Sequence, residues 1–375
     1  MQWLEPVLLL ILALTTSIQL GFWGYLFAHL PRYRPLPNTP EKQIPVSIVI
    51  CARNEEKNLR RHLPHWLAQT YRPLEIIVVN DASTDKSLAV LLDFMKKNPI
   101  LRAIHIGKKH TAGKKAALAQ GIAAASSEAI LLTDADCIPA SSRWVHSMVS
   151  GFRQKNGVVL GYSPYLHPQH RVLDYFIRFE TSYVATQYFS FALAGYPYMG
   201  VGRNLMYAKS LFQQHGGFTA HQHLAPGDDD LFINQVAHAS NTRVVLDPQA
   251  FTYSIPARNW RDYYYQKRRH LSVGSHYRPQ HKLALGLLAL SHFGHYASLL
   301  MLLVLFPTQW MWSLIAYSVR LLVVCWQYRR ILHLLQDKAL WPWVPLLDAL
   351  YTLYYLVFAP ALFNTGQSRQ EKWKQ

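Results

Sequence analysis

Apolar residues are spread very unevenly along this chain. Residues 7–30 are apolar apart from a few Ser, Thr, Gln and His, a run long enough to cross a bilayer. Three further apolar stretches, 283–306, 310–328 and 341–363, fill the C-terminal end, with tryptophans and tyrosines near their limits as interfacial belts have. Between these ends the pattern changes. Short β-rich runs at 46–50, 75–79, 103–106 and 130–133 are separated by helical patterns: one carries Leu59, Leu63 and Leu67, a second covers 88–95 and a third 116–125. Strands alternating with helices predict a mostly parallel α/β sheet. Polar residues gather at the C-terminal ends of these strands, where a doubly wound sheet binds ligands. Past residue 136 the alternation loosens. A strand is expected at 158–162, a nearly uncharged aromatic stretch occupies 175–196, tight loops are expected at 200–204 and 215–218, and a helical pattern runs through Leu231, Ile233 and Val236.

The first apolar run begins Met-Gln-Trp-Leu-Glu, with no basic residue and no small-residue cleavage site after it, so it reads as an uncleaved anchor. Arg32 and Arg34 follow directly and place the downstream side in the cytoplasm by the positive-inside rule. Residues 31–45 are a proline-rich connector. The predicted organisation is an anchor at 1–30, a linker at 31–45, a cytoplasmic domain at 46–278 and a membrane region of two to three helices at 279–375. Arg320 lies inside the middle C-terminal segment, an expensive place for a charge, so one of these segments is a candidate for lying in the interface. The link to the last segment holds Arg329, Arg330 and Lys338 and reads as cytoplasmic; Arg369, Lys372 and Lys374 argue mildly for a cytoplasmic C-terminus.

Lys and Arg total 38 against 21 Asp and Glu, a formal charge of +17. Beside membrane segments this excess suits anionic headgroups and a phosphate-bearing substrate. No nucleic-acid-binding module is recognisable. The three cysteines are far apart and have neither disulfide-framework nor zinc-ligand spacing.

The chemistry centres on Leu131-Leu132-Thr133-Asp134-Ala135-Asp136, an apolar run that ends in two carboxylates. Residues i and i+2 of a strand point to one side, so Asp134 and Asp136 are expected to converge past the end of a buried strand. Paired carboxylates are hard oxygen ligands suited to magnesium or manganese holding a diphosphate. Gly227-Asp228-Asp229-Asp230 places three acids at a helix start; the macrodipole favours one of them there, and the other two exceed what a cap needs. Gln266-Lys267-Arg268-Arg269-His270 closes a basic, aromatic segment that is either a solvated helix face or an anion clamp.

Taken together, these motifs over 45–274 resemble a membrane-bound family 2 glycosyltransferase with the glycosyltransferase-A (nucleotide-diphospho-sugar transferase) fold, similar to ceramide glucosyltransferases and polysaccharide synthases. The resemblance implies that Ala52, Arg53 and Glu55, after the first strand, and Asp81, after the second, contact the nucleotide. Asn80 stands where the family has another acid. In Gly113-Lys114-Lys115-Ala116-Ala117-Leu118-Ala119-Gln120-Gly121, Lys114 aligns with the lysine that approaches the diphosphate, and Ala119 replaces a common Asn. By resemblance Asp136 binds a divalent cation, magnesium or manganese, while Asp134 binds the nucleotide or a metal-bound water. Matching Gly-Asp-Asp to the family's Gly-Glu-Asp form picks Asp229 as catalytic base, with Asp228 as the near alternative. Gln266, Arg268 and Arg269 match a Gln-x-x-Arg-Trp motif in which His270 replaces the Trp.

The implied activity is metal-dependent, inverting transfer from a nucleotide-sugar, with UDP as the prior, to a lipid-linked or glycan acceptor at the cell membrane. A single carboxylate base with no protein nucleophile fits a single displacement. A processive polysaccharide synthase is an alternative; the chain is short for the extra helices a pore needs. A non-catalytic nucleotide-sugar-binding scaffold is the alternative of another class; Asn80 and Ala119 leave room for it, and the intact acids argue against it. A dehydrogenase is disfavoured because Gly200-Val201-Gly202 lies far from the first strand. The stretch 175–198 reads equally as an interfacial segment or as core aromatics. His221 and His223, in an expected loop, read as acceptor contacts or, in preference, as plain surface residues.

Overall fold

A computed structural model describes residues 3–35, 43–107, 113–152, 156–166, 171–224 and 226–363. Part of the 31–45 connector and the basic residues Arg369, Lys372 and Lys374 lie outside the described residues. The chain opens with α1 (Leu4–Gly21), extended to Arg32 by a π turn and a 3-10 turn. Then come β1 (Val46–Ala52), α2 (Glu56–Leu67), β2 (Leu74–Asp81), α3 (Ser87–Met95), β3 (Leu101–Ile106), α4 (Lys114–Ala124) and β4 (Ala129–Asp134). Next are β5 (Ile138–Pro139), α5 (Trp144–Ser150), β6 (Val158–Gly161), α6 (Val172–Leu193), β7 (Leu205–Ala208), α7 (Lys209–Gln214), α8 (Asp230–Val236), β8 (Thr242–Val245) and β9 (Thr252–Tyr253). The chain closes with α9 (Trp260–Leu271), α10 (Pro279–Leu305), α11 (Trp310–Leu334) and α12 (Val344–Phe363). These elements divide into two compact units. One holds α1, α6 and α9 to α12; the other holds the sheets and the remaining helices. Both α6 and α9 lie within the stretch expected at 46–278.

The sheet unit is a mixed α/β layer of order β3-β2-β1-β4-β7-β6-β8. Its first half is the parallel part that the alternation predicts: β1 pairs with β2 and β4, and β2 with β3. β7, which the pattern of the sequence did not disclose, is antiparallel to both β4 and β6. All seven residues of β1 are buried, as expected of a central strand covered on both faces. Gly121 brings α4 close to that strand; a Cβ there would stand 2.5 Å from Val49 Cγ1 and 2.9 Å from Val79 Cγ2. This close contact seats the N-terminus of α4 beyond the carboxyl ends of β1 and β4.

In the other unit, three stretches among the described residues are long and apolar enough to cross a membrane: Leu4–Arg32, Pro279–Leu305 and Lys338–Pro360. That is one N-terminal and two C-terminal candidates; α11 is not among them by composition. Leu8 and Leu12 of α1 pack on Leu299 and Leu302 of α10, and Gly294 lets the two backbones approach, since a Cβ there would lie 2.9 Å from Thr15 Cγ2. Gln309 donates to Glu5, whereas Gln19 accepts from Arg320 at 3.1 Å. α1 and α11 therefore run parallel, and Arg32 and the Arg329-Arg330 pair sit toward the same end. α6 is a buried helix and not an interfacial one: Tyr183 stacks on Trp23 (6.1 Å), Phe179 on Tyr328 (5.3 Å), and Tyr183 meets Tyr351 edge-on (5.0 Å). The core-aromatic reading of that stretch is the one that holds.

The charge inside α11 has a partner. Arg320 Nη1 lies 2.5 Å from Asp348 Oδ2 of α12, and both side chains are 1% exposed. Tyr296 donates to the same carboxylate at 2.6 Å, and His292 Nδ1 lies 3.1 Å from Arg320 Nη2. Removing one member of a buried pair leaves an uncompensated charge and costs about 3–5 kcal/mol, whereas replacing both by apolar residues is often close to neutral. Asp348→Ala is therefore expected to lower the thermal midpoint of the detergent-solubilised protein steeply, and Arg320→Met/Asp348→Leu to recover most of it; equal losses in the two variants would assign the cost to packing instead.

Candidate active site

The carboxyl ends of β1, β2 and β4 carry half of the residues singled out from the sequence. Ala52 ends β1 and Asp81 ends β2, and both are buried. The loops after these strands clasp each other. Asn54 takes a left-handed conformation (φ 53°), tolerable for Asn because its short polar side chain bonds locally. Its N–H donates to Ser83 Oγ (3.0 Å) and its Oδ1 accepts from the Thr84 N–H (2.8 Å). The Glu55 N–H donates to Ser87 Oγ at 2.9 Å. Arg53 Nε is buried with no hydrogen-bond partner among the described residues. Asn80 faces sideways, its Nδ2 2.9 Å from His105 Nδ1, so the residue that departs from the resembled motif is occupied within the sheet.

Asp134 is the last residue of β4, but Asp136 is not in a strand. A turn begins at Ala135, closed by the Cys137 N–H donating to the Asp134 carbonyl at 3.0 Å. The two carboxylates are therefore neighbours through this turn, and strand periodicity is not what brings them together. His62, buried in α2, donates from Nδ1 to the Ala135 carbonyl at 2.9 Å and holds the turn from behind. Burial, and then the charge of Asp134, push the Asp136 carboxyl above its ordinary range.

Lys114, the first residue of α4, sits between two acidic motifs far apart in sequence. Its Nζ lies 2.7 Å from Asp134 Oδ1 and 3.0 Å from Asp228 Oδ2. Burial would lower the lysine, but Asp134, Asp228 and Asp229 together hold it well above its ordinary value. The same pairing keeps Asp228 below the usual carboxylate range against the opposing effect of burial.

The acids of the triplet are used differently. Asp229 is the N-cap of α8, accepting from the Asp230 N–H at 2.9 Å, and its other oxygen accepts from the Gly202 N–H at 2.7 Å. Burial, and then the neighbouring Asp228 charge, raise Asp229 above its ordinary value. Gly202 has to be small: a Cβ there would stand 3.2 Å from Asp229 Oδ2. Asn204 fixes this loop, accepting from Trp144 Nε1 (3.0 Å) and donating to the carbonyls of Tyr162 (2.8 Å) and Ala250 (2.7 Å). Gly227 precedes the triplet at φ 94°, a conformation that favours glycine.

Three contributors escaped the sequence reading. The Arg203 guanidinium lies 4.4 Å from the Tyr165 ring centre and interacts electrostatically with Asp136; its Nη1 is buried without a partner among the described residues. Lys115 is buried and donates to the carbonyls of His221 (2.8 Å) and Leu224 (3.0 Å); burial brings it down to about 8. His221 is therefore not a surface residue. Burial, and then the Lys115 charge, lower it to about 4. His223 is exposed. A basic pair at a helix start was the available signal for Lys115, but only the folded loop reveals its targets. Gln266, Arg268 and Arg269 lie on α9 in the other unit, Gln266 half-buried and both arginines exposed.

The residues fit a divalent cation. Asp134 and Asp136 offer hard oxygen atoms, and the repulsion that raises Asp136 is what a cation relieves. Among the described residues no group of three or more His, Cys, Asp or Glu forms a metal cage. That suits a site such as those for magnesium, in which one or two carboxylates share the ion with water and substrate phosphates.

Residues 47–216 match the family model described as Glycosyl transferase family 2. A probable glycosyltransferase YdaM of Bacillus subtilis is 28% identical over 269 residues, which is 67% of this chain and 60% of that protein. A beta-monoglucosyldiacylglycerol synthase of Nostoc is 30% identical over 152 residues, 40% of this chain and 32% of that protein. The chain thus spans less than two thirds of the length of these curated relatives. Among solved structures, the mannosyltransferase PcManGT from Pyrobaculum calidifontis, in complex with GDP-Man and Mn2+, superposes with a TM-score of 0.59 at 18% identity, covering 93% of this chain and 99% of that one.

Hydrogen exchange tests the part played by Lys115. Hydrogen bonds to a charged group contribute about 1.5–3 kcal/mol. Lys115→Met is expected to speed exchange in the loop after His221 while leaving β1 and β4 protected; unchanged protection of that loop would assign its order to other contacts. The family match over residues 47–216 and the superposition on the Pyrobaculum structure agree on a chain that resembles glycosyl transferase family 2 and has the glycosyltransferase-A fold.

Proposed function

We propose that this chain is a metal-dependent, inverting glycosyltransferase that moves a sugar from a nucleotide-sugar, with a UDP-sugar as first choice, to a lipid-linked or glycan acceptor at the cell membrane. The observation that carries the reading is the Lys114 ammonium bridging Asp134 and Asp228. It sets a positive charge between the pair suited to a donor's cation and the acids suited to an acceptor's proton. The named product of the Nostoc relative, a monoglucosyldiacylglycerol, supports a lipid acceptor, and the Mn2+ and GDP-Man of the Pyrobaculum structure support a cation and a nucleotide-sugar donor.

In this reading Ala52, Arg53, Glu55 and Asp81 line the nucleotide, and Asp136 with Asp134 holds magnesium or manganese. A bound divalent ion supplies charge compensation for the departing diphosphate. Lys114 adds a cation on the same side, and Gln266, Arg268 and Arg269 are proposed as a further clamp for phosphate oxygens. Asp229 takes the proton from the acceptor hydroxyl. Its two backbone hydrogen bonds orient the carboxylate, while burial and Asp228 raise its basicity. With one base and no protein nucleophile, the acceptor displaces the nucleoside diphosphate directly, which inverts the anomeric carbon. The catalytic domain at 46–278 is assigned to the cytoplasm because Arg32 and Arg34 close the first apolar helix, and Arg329 and Arg330, in the last turns of the parallel α11, lie toward the same end.

Membranes containing the protein are incubated with UDP-, GDP- and dTDP-sugars and manganese or magnesium, following label transfer into lipid. One sugar should transfer in a metal-dependent way. Asp229→Asn should lower kcat by about 10²–10⁴-fold while nucleotide binding survives, and Asp136→Ala should weaken the response to metal. Binding without turnover of any sugar, with lipid extract present, would favour a non-catalytic scaffold.

The pH profile checks the base independently. A carboxylate base works only when ionised, so activity is lost as pH falls through its pKa. Because Asp229 is raised, the acid limb of kcat should lie above the value of about 3.9 of an ordinary aspartate. Asp228→Asn, which removes the repelling charge, should move that limb to lower pH; a limb that does not move would separate it from Asp229.

A further inference from the structure

We propose that the outward face of α9 and the start of α10 form a belt that binds the headgroups of anionic phospholipids. Residues 259–282 contain six Lys or Arg and one acid, Asp262. The fold divides these charges into two kinds. Lys267 points inward and is neutralised there, its Nζ 2.5 Å from Glu180 Oε2. Asp262 is engaged in capping, accepting from Asn259 Nδ2 at 2.9 Å while its own N–H donates to Asn259 Oδ1. The remaining cations, Arg261, Arg268, Arg269, Arg278 and Lys282, are all exposed.

Aromatic rings accompany them. Trp260 is 50% exposed, Tyr265 45% and Tyr264 37%. On a helix Arg261, Tyr265 and Arg268 fall on one stripe by their spacing of four and three. The opposite face carries Tyr263, which packs against Phe176 and Phe358. Trp260 and Tyr264 border that face, resting in part on Phe176 and Phe358, so α9 is anchored by one face, with the cations and Tyr265 on the other. Trp and Tyr favour the level of lipid headgroups, and a cluster of Lys and Arg beside a membrane-crossing helix attracts anionic lipid. The belt leads directly into the candidate span Pro279–Leu305, which fixes its occupant as the bilayer's own headgroups. The proposal does not rest on the catalytic reading, and its test avoids Arg268 and Arg269, which that reading uses.

The full chain is purified in a nonionic detergent and titrated with fluorescent phosphatidylglycerol or phosphatidylcholine. The anionic lipid should bind at least about tenfold more tightly, with a preference that shrinks as salt screens the charges. Arg261→Gln/Lys282→Gln should weaken binding of phosphatidylglycerol by about 25-fold at low salt, about fivefold for each charge removed, and leave phosphatidylcholine unchanged. Arg261→Lys/Lys282→Arg, which keeps both charges, should bind as the parent does and separates charge from folding defects. Equal binding of the two lipids by the parent protein overturns the proposal, as does an unaltered preference in the neutralised variant. Displacement of the lipid by millimolar inorganic phosphate would likewise overturn it in favour of a free-phosphate site.

Discussion

The Lys114 ammonium offsets part of the repulsion among the acids gathered at the strand ends of the sheet unit. Asp134, Asp228 and Asp229 converge from two segments remote in sequence, and like charges in a desolvated site repel. Lys114 offsets this by touching Asp134 and Asp228 together. Its place follows from the backbone: Gly121 lets α4 lie close on β1 and β2, so the first turn of that helix is delivered to the carboxyl ends of the strands. Lys115, next in sequence, ties the same helix start to the carbonyls of His221 and Leu224. Two adjacent lysines therefore organise one side-chain cluster and one loop.

The helical unit meets the same constraint in a different setting. Arg320 inside α11 is matched by Asp348 of α12 and surrounded by Tyr296, His292 and Gln19. In each unit a buried charge is accompanied by an opposite charge and by hydrogen bonds that use most of its remaining capacity, the condition under which burial is tolerable. Lys267 with Glu180 repeats the pattern on α9. The outward arginines of α9 are exposed and need no such match.

Much of this arrangement is legible in the chain. The strand-helix alternation announces the parallel half of the sheet, because a strand covered on both faces is continuously apolar and its crossover helices are amphipathic. β7 escaped notice because its four residues, Leu205 to Ala208, follow a 3-10 turn and carry no long pattern of their own. The aromatic stretch that became α6 was ambiguous for a related reason: a helix buried on nearly every side has no amphipathic period to read.

The sequence by itself determined which residues are chemically able to act: the carboxylates at the end of β4, the acids before α8, the lysines opening α4 and the apolar runs at both ends. Residue type and local spacing are properties of the chain, and they survive without a fold. Only the tertiary structure decided how these groups are shared. It put Asp136 in a turn and outside the strand, gave Asp228 to Lys114 and Asp229 to the backbone N–H groups of Gly202 and Asp230, buried His221, and set Arg320 against Asp348. Those outcomes depend on distances between segments remote in sequence, and on which groups lose contact with water when the segments pack. No local pattern encodes either quantity.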